Sequence, residues 1–357
     1  MLGYLPGTEW PSSGSDYRHG REGVPTSPTF APLQQDGEGR AISHRRAKCK
    51  KLPALRPGEA GTVVPFQIFE AEARTILSPV SGFLKEAGFT HSLTPSRNCT
   101  FGCSYCYVPT MRVQAGLRPD DWKHWGHWTT FKKNAAKLVA RELRGAEIIY
   151  CSPLTDPYQP AEETAGLMRA ILSAIVVAPR PPEAFVIQTR GPLILRDLDL
   201  LRLAAARTRL RVSFSITTDR EDVRRIFEPH CAPIADRWRT LRELREAEIP
   251  VTATLAPILP CNPADLLAQA MEATSGVVVG DPFHVREVKR SGATTREPAQ
   301  EICRRFGWDA WLDPAFHRHL LTTLQQQAKR SNREFAWGPP GFGLLAKPDA
   351  APPENVR

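Results

Sequence analysis

Six short apolar runs, separated by stretches of helical periodicity, limit this 357-residue chain to few folds. They are His91-Ser-Leu-Thr94, Glu147-Ile-Ile-Tyr150, Phe185-Val-Ile-Gln188, Val212-Ser-Phe-Ser-Ile216, Val251-Thr-Ala-Thr-Leu255 and Val277-Val-Val279. After a long first interval they recur every 26 to 39 residues, the spacing of βα units in a parallel sheet. The stretches between them read as helices. Asn134 is placed to cap a helix that buries Ala135, Leu138, Val139 and Leu143. Pro160 stands near the start of a second, with Met168, Ile171, Leu172 and Ile175 on one face. Trp238, Leu241 and Leu244 line a third. Six consecutive right-handed units predict an α/β chain folded as a partial (βα)6 TIM-type barrel. A hydrophobic content of 41% supplies the core that such a barrel needs.

The flanks read differently. Residues 1–60 are rich in Pro, Gly and Ser without periodicity and are expected to be a disordered, basic N-terminal arm. Residues 61–83 lead into the core, which spans 84–285. Residues 286–345 form a helical C-terminal extension expected to close the open side of the barrel or cover a substrate, and 346–357 a disordered tail. The net charge of +9 favours polyanionic partners. Seven cations and no acid lie between Arg40 and Arg56, which reads either as a phosphate-contacting arm or as a solvated tail. No signal pattern and no membrane-length apolar run is present, so a soluble, cytoplasmic protein without membrane contact is expected.

Three of the eight cysteines fall within eight residues, Cys99-Thr-Phe-Gly-Cys103-Ser-Tyr-Cys106. Their spacing would put three sulfurs on one helix face. However, Pro95, Asn98, Thr100, Gly102, Ser104 and Pro109 make the stretch a poor helix and a good loop. A structural zinc site wants four closing ligands, usually as two pairs, and no fourth ligand is near. Three thiolates on a four-iron cluster would leave one iron open to a bound molecule. Cys231, Cys261 and Cys303 are widely spaced and read as single buried thiols.

With Tyr105 before its last cysteine, the Cys-x3-Cys-x2-Cys run resembles the radical S-adenosylmethionine (SAM) superfamily. The resemblance implies a [4Fe-4S] cluster on Cys99, Cys103 and Cys106, with Tyr105 beside it. SAM would chelate the open iron and be cleaved by one electron to a 5′-deoxyadenosyl radical that abstracts hydrogen. It also implies a low-potential electron donor such as flavodoxin or ferredoxin.

In parallel barrels the chemistry sits at the C-terminal ends of strands. The second run ends Tyr150-Cys-Ser-Pro-Leu-Thr-Asp156-Pro-Tyr-Gln-Pro, where most of the superfamily carries a Gly-Gly-Glu-like segment. Its Thr-Asp-Pro-Tyr-Gln-Pro is instead similar to the spore photoproduct lyase branch. Ser152, Thr155 and Asp156 are candidates for the SAM ammonium, with helix capping as the plainer role. Arg190, after the third run, stands where that branch has a basic residue for the SAM carboxylate. Ser213 and Ser215 share one face of the fourth run, and the resemblance places that face toward the SAM ribose or methionine. Ala256 lies where the branch runs its backbone along the adenosyl group. Cys151 reads either as a small buried hydrophobe or, by the same resemblance, as a hydrogen-atom donor at the barrel mouth.

The segment Trp122-Lys-His-Trp125-Gly-His-Trp128 could stack nucleic-acid bases, but reads better as core packing. The reading that emerges is a lyase-like radical SAM enzyme whose substrate is left open, with a nucleic-acid substrate, a DNA lesion, as the candidate that the resemblance and the basic arm favour. Its competitors are a radical SAM enzyme acting on RNA, a peptide or a small molecule, and a non-catalytic cluster- or zinc-bearing nucleic-acid-binding protein.

Overall fold

Alternation of β-branched or aromatic side chains along each apolar run suits a pleated strand with two covered faces. All six become parallel strands. In the computed structural model, which describes residues 66–110, 124–283 and 297–348, the first strands are β1 (Gln67–Ala71), β2 (Leu77–Pro79), β3 (His91–Leu93), β4 (Ser96–Arg97) and β5 (Trp128–Lys132). They are followed by β6 (Ile148–Cys151), β7 (Ala184–Thr189), β8 (Arg209–Ser215), β9 (Val251–Ile258), β10 (Val278–Pro282) and β11 (Phe335–Trp337). The main sheet runs β11-β10-β9-β8-β7-β6-β3-β2 and is parallel apart from the β2–β3 pair. Its two edges are not paired to each other, so the barrel is partial.

Register divides the side chains into two layers. Ser92 pairs with Tyr150, Tyr150 with Val186, Gln188 with Ser213, and Val279 with Thr254. Tyr150, Val186 and Val279 point inward and pack on Phe89, Phe342 and Leu345. Their neighbours Ile149, Cys151, Phe185, Ile187, Val212 and Phe214 point outward, into a larger core shared with the surrounding helices. The strand period of two therefore sorts residues into barrel interior and helix layer.

The helices follow the predicted stripes, with three differences. Ala135, Leu138 and Val139 are buried in helix Ala135–Glu142, with Leu143 just beyond it. Asn134 does not cap this helix. Its amide pairs with both backbone groups of Ala73, donating to the carbonyl and accepting from the N–H, each at 2.9 Å. The second helix breaks at Gly166, in the left-handed region at φ 60°, into Glu162–Ala165 and Leu167–Val177. Met168, Ile171, Leu172 and Ile175 are still fully buried. Helix Ile234–Glu246 buries Trp238, Leu241 and Leu244 as expected, but also Arg237.

The flanking segments depart further. The lead-in contributes β1 and β2, and β1 forms a small second sheet of order β1-β5-β4. The extension holds helices Glu297–Arg305 and Pro314–Arg330, the latter capped by Asp313 with Pro314 in its first turn. It also adds β11 to the sheet edge, and Phe342 and Leu345 then plug the barrel interior. The basic arm, Trp122 and the C-terminal tail from residue 349 lie outside the described residues. No helix among the described residues is long and apolar enough to cross a membrane.

Candidate cofactor site

Directly after β3, the chain makes β4 and then turns into the cysteine loop. Asn98 opens the turn at φ 63°, a conformation Asn tolerates because its short side chain bonds locally. Its Oδ1 accepts from the N–H of Cys99 at 2.6 Å and of Gly126 at 3.3 Å. Gly102 and Gly126 also have positive φ, and their backbones touch. A Cβ on Gly126 would lie 2.8 Å from the Cα of Gly102, so that crossing admits no side chain.

Two distant segments brace the loop. From the β6 side, Gln159 accepts from the N–H and hydroxyl of Thr100 at 2.8 and 3.1 Å. It donates to Ser96 Oγ at 2.8 Å and to the Asn98 carbonyl at 3.4 Å. From the other side, the carbonyl of Phe227, ending helix Glu221–Phe227, accepts from the N–H of Ser104 at 2.9 Å and its hydroxyl at 3.3 Å. Glu228 then accepts from the Tyr105 hydroxyl at 2.5 Å.

The sulfurs are unequal. Cys99 receives the N–H of Asp156 at 3.5 Å, and burial followed by the Asp156 charge pushes its thiol up. Cys103 is buried, and Arg190 Nη1 lies 3.6 Å from its sulfur. A hydrogen bond from the Cys231 thiol and the Arg190 charge together hold Cys103 below the ordinary thiol range. Cys231 is therefore a neighbour of the cysteine loop and not an isolated core thiol. Cys106 is half-buried. Among the described residues no three Cys, His, Asp or Glu side chains gather closely enough to hold a single metal ion. Three thiols on one loop, with N–H donors on two of them, suit a larger cluster that places a separate iron behind each sulfur.

The other predicted residues fall into three groups. Ser215 and Ala256 share the inward register of β8 and β9 with Ser213 and Thr254, Arg190 follows Thr189 at the end of β7, and Ser152 follows β6 with its hydroxyl 3.3 Å from Thr155 Oγ1. Among these, the Ser215 hydroxyl is buried and has no partner among the described residues. Ser213, one layer deeper, is taken up by Gln188 Oε1 at 2.6 Å and Thr254 Oγ1 at 2.5 Å. The second group ties loops together. Thr155 accepts from Ser96 Oγ at 3.1 Å. Asp156 accepts from Tyr158 N–H at 2.9 Å, Thr189 Oγ1 at 2.6 Å and Arg190 N–H at 2.8 Å. Burial raises its carboxyl, with Thr189 and Arg190 partly offsetting this.

Cys151 stands alone. Of its two readings, a small buried hydrophobe or a donor at the mouth, the structure shows the burial: Cys151 is fully buried on the outward register with Ile149 and Ile187, because Tyr150 takes the inward position. Ser152 and Thr155 are buried beside it. Trp125 and Trp128 are buried as an edge-to-face pair with centroids 6.2 Å apart, in agreement with core packing.

Gln159, Thr189, Glu228 and Arg237 were not singled out from sequence, and Cys231 was read there only as a single buried thiol. Gln159 lies within the Thr-Asp-Pro-Tyr-Gln-Pro run, which could have marked it. No local pattern marks Glu228 or Arg237.

Residues 93–270 match the family model described as the Radical SAM superfamily. The protein MJ0683 of Methanocaldococcus jannaschii is 26% identical over 195 residues, covering 54% of this chain and 68% of that protein. Rv2578c of Mycobacterium tuberculosis is 27% identical over 176 residues, so the match spans half of that relative's length and 48% of this chain. Among solved structures, spore photoproduct lyase complexed with dinucleoside spore photoproduct superposes with a TM-score of 0.53 at 13% identity, covering 79% of this chain and 86% of that one. A mutant of the same lyase with bound AdoMet and dinucleoside spore photoproduct gives 0.52 at 12% identity, with the same coverage. At that identity the likeness is one of fold.

Proposed function

This chain belongs to the radical SAM superfamily through residues 93–270, and from that premise we propose that it is a lyase-like enzyme that acts on a nucleic-acid lesion. The superfamily's cofactors are a [4Fe-4S] cluster and SAM, and when bound they supply a one-electron cleavage of SAM to a hydrogen-abstracting radical. The observation that carries the reading is the three-thiol loop at the C-terminal mouth of a parallel sheet, with N–H donors already on two of its sulfurs.

Each residue then has a definite task. Cys99, Cys103 and Cys106 would hold the cluster. The Asp156 N–H and Arg190 guanidinium donate to sulfur. Ser152, Ser215 and Ala256 are the residues that would line the SAM site, and the free Ser215 hydroxyl is a donor available to it. Asp156 and Thr155 join the loops after β6 and β7 and so keep that site in shape. The nucleic-acid reading is supported by the Thr-Asp-Pro-Tyr-Gln-Pro run, the excess of positive charge and the likeness of fold to a lyase solved with a dinucleoside photoproduct. A low-potential flavodoxin or ferredoxin is the proposed electron source.

The test is anaerobic reconstitution with iron, sulfide and SAM, followed by assay of 5′-deoxyadenosine with ultraviolet-damaged DNA, intact DNA, RNA and peptide. About four irons per chain are expected, with cleavage stimulated by damaged DNA and abolished by Cys99→Ala, Cys103→Ala or Cys106→Ala. Stoichiometric zinc without iron would refute the cluster. Stimulation by RNA or peptide alone would move the substrate to another class.

A further inference from the structure

Beside the cysteine loop lies a buried cluster of charge that the proposed chemistry has not yet used. The carboxylate of Glu228 is fully buried. Its Oε1 accepts from the Tyr105 hydroxyl at 2.5 Å, from Thr217 Oγ1 at 2.9 Å and from Arg190 Nη1. Its Oε2 accepts from Arg237 Nη2 at 2.5 Å. Arg237 is itself fully buried and donates through Nε to the Ala232 carbonyl at 3.1 Å. Two guanidinium groups thus face Glu228, and one of them, Arg190, also lies 4.0 Å from Asp156 Oδ2 and borders Cys103.

Taken alone, such a cluster is weak evidence for stability, since apolar residues of similar volume often serve as well. Its placement is more informative. Arg190 Nη1 is shared among Glu228, Tyr105 and Cys103 Sγ, so the carboxylate fixes where the guanidinium can point. Glu228 directly follows Phe227, whose carbonyl holds Ser104, so the anchor and the loop are tied at two successive residues. Arg237 neutralises Glu228 from the far side and leaves Arg190 with N–H capacity for sulfur.

We infer that Glu228 is a positioning residue of the cysteine loop, which holds the Arg190 guanidinium against the Cys103 sulfur and thereby raises the reduction potential of the cluster bound there. The inference rests on the radical SAM reading above. An N–H donor and a positive charge at a ligating sulfur stabilise the added electron more than the oxidised state, which moves the potential upward. Arg190 is accordingly assigned to the cluster, where its partners are, and not to the SAM carboxylate.

The sign of one shift decides the matter. In anaerobically reconstituted protein, the cluster midpoint is measured by redox titration followed by electron paramagnetic resonance, for wild type, Glu228→Gln and Glu228→Asp. If Glu228 acts by holding Arg190, Glu228→Gln lowers the midpoint at unchanged iron and sulfide content, and Glu228→Asp restores part of it. If Glu228 acts only by its own negative charge, the same substitution raises the midpoint, and the inference fails. An unshifted midpoint overturns it equally. Should Glu228→Gln not fold with Arg237 left unpaired, Glu228→Gln/Arg237→Met removes both charges and is read by the same titration with the same expected fall. A wild-type protein that takes up no iron and sulfide defeats the radical SAM reading, whereas a loaded wild type with unshifted variants defeats this inference alone.

Discussion

Replacing Gln159 by Leu tests whether the cysteine loop is preformed by the protein. Gln159 is fully buried, and its amide makes four hydrogen bonds, three of them to residues 96 and 100. Leucine fills much of the same volume but leaves the Thr100 N–H and hydroxyl without their acceptor in a site with no exposure. The Asn98 carbonyl keeps the hydroxyl of Thr129 at 3.1 Å, and Ser96 still reaches Thr155, so those ends are not stranded. A stranded buried N–H costs about 1–3 kcal/mol and the hydroxyl somewhat less, which gives about 2–4 kcal/mol after the apolar gain. Urea unfolding of the reduced apo protein reads the loss, and hydrogen exchange at the Thr100 amide locates it. Gln159→Glu separates the two halves of the amide. It keeps the acceptor for Thr100, loses both donors and buries a carboxylate, so its deficit should grow as pH rises. A Gln159→Leu protein within about 0.5 kcal/mol of wild type, with the Thr100 amide still protected, would refute this account.

Glu162 gives a pH signature. Burial raises its carboxyl to about 7, with the Met168 N–H and then Arg196 partly offsetting this. Its folded value lies above the unfolded one, so its favourable contribution is complete below the ordinary carboxylate range and is lost as pH rises through about 7. Wild-type urea midpoints should fall between pH 5 and 8, and Glu162→Gln should flatten that fall; parallel profiles would reject the assignment. Glu228 works in the opposite sense. Although burial alone would raise it, Arg237 and then Arg190 hold it at about 2, so its stabilisation persists at neutral pH and disappears as pH drops from about 4.5 toward 2. Acid unfolding of Glu228→Gln should accordingly show a smaller proton uptake. Cys151, fully buried, should react with a thiol reagent in folded apo protein much more slowly than half-buried Cys106. Equal rates would show an accessible sulfur and favour the hydrogen-donor reading over the buried-hydrophobe one, which Cys151→Ala would test by loss of solvent hydrogen from product.

Much of the architecture was legible because its causes are local. Strand alternation, helix stripes and the βα spacing depend on residues within a few positions of each other, and all six apolar runs and their stripes reappear in the fold. The cysteine loop was legible for the same reason, since Pro, Gly and Asn at close spacing exclude a helix. The period of two also places Ser213 and Ser215 on one inward face.

What tertiary structure alone decided are the pairings of buried polar groups. Asn134 had the sequence of a helix cap, yet the Ala73 backbone, 61 residues away, took its side chain. The lead-in carried no strand pattern, and β1 became a strand because β5 offered it a parallel edge. Arg190 looked free to meet a ligand until Glu228, 38 residues on, fixed its direction, and Glu228 in turn depends on Arg237. Periodicity reports which faces are apolar, because that free energy is roughly additive over surface. It does not report which donor meets which acceptor, because a buried polar group is stabilised only by a specific partner at close range, and that partner is set by the whole path of the chain.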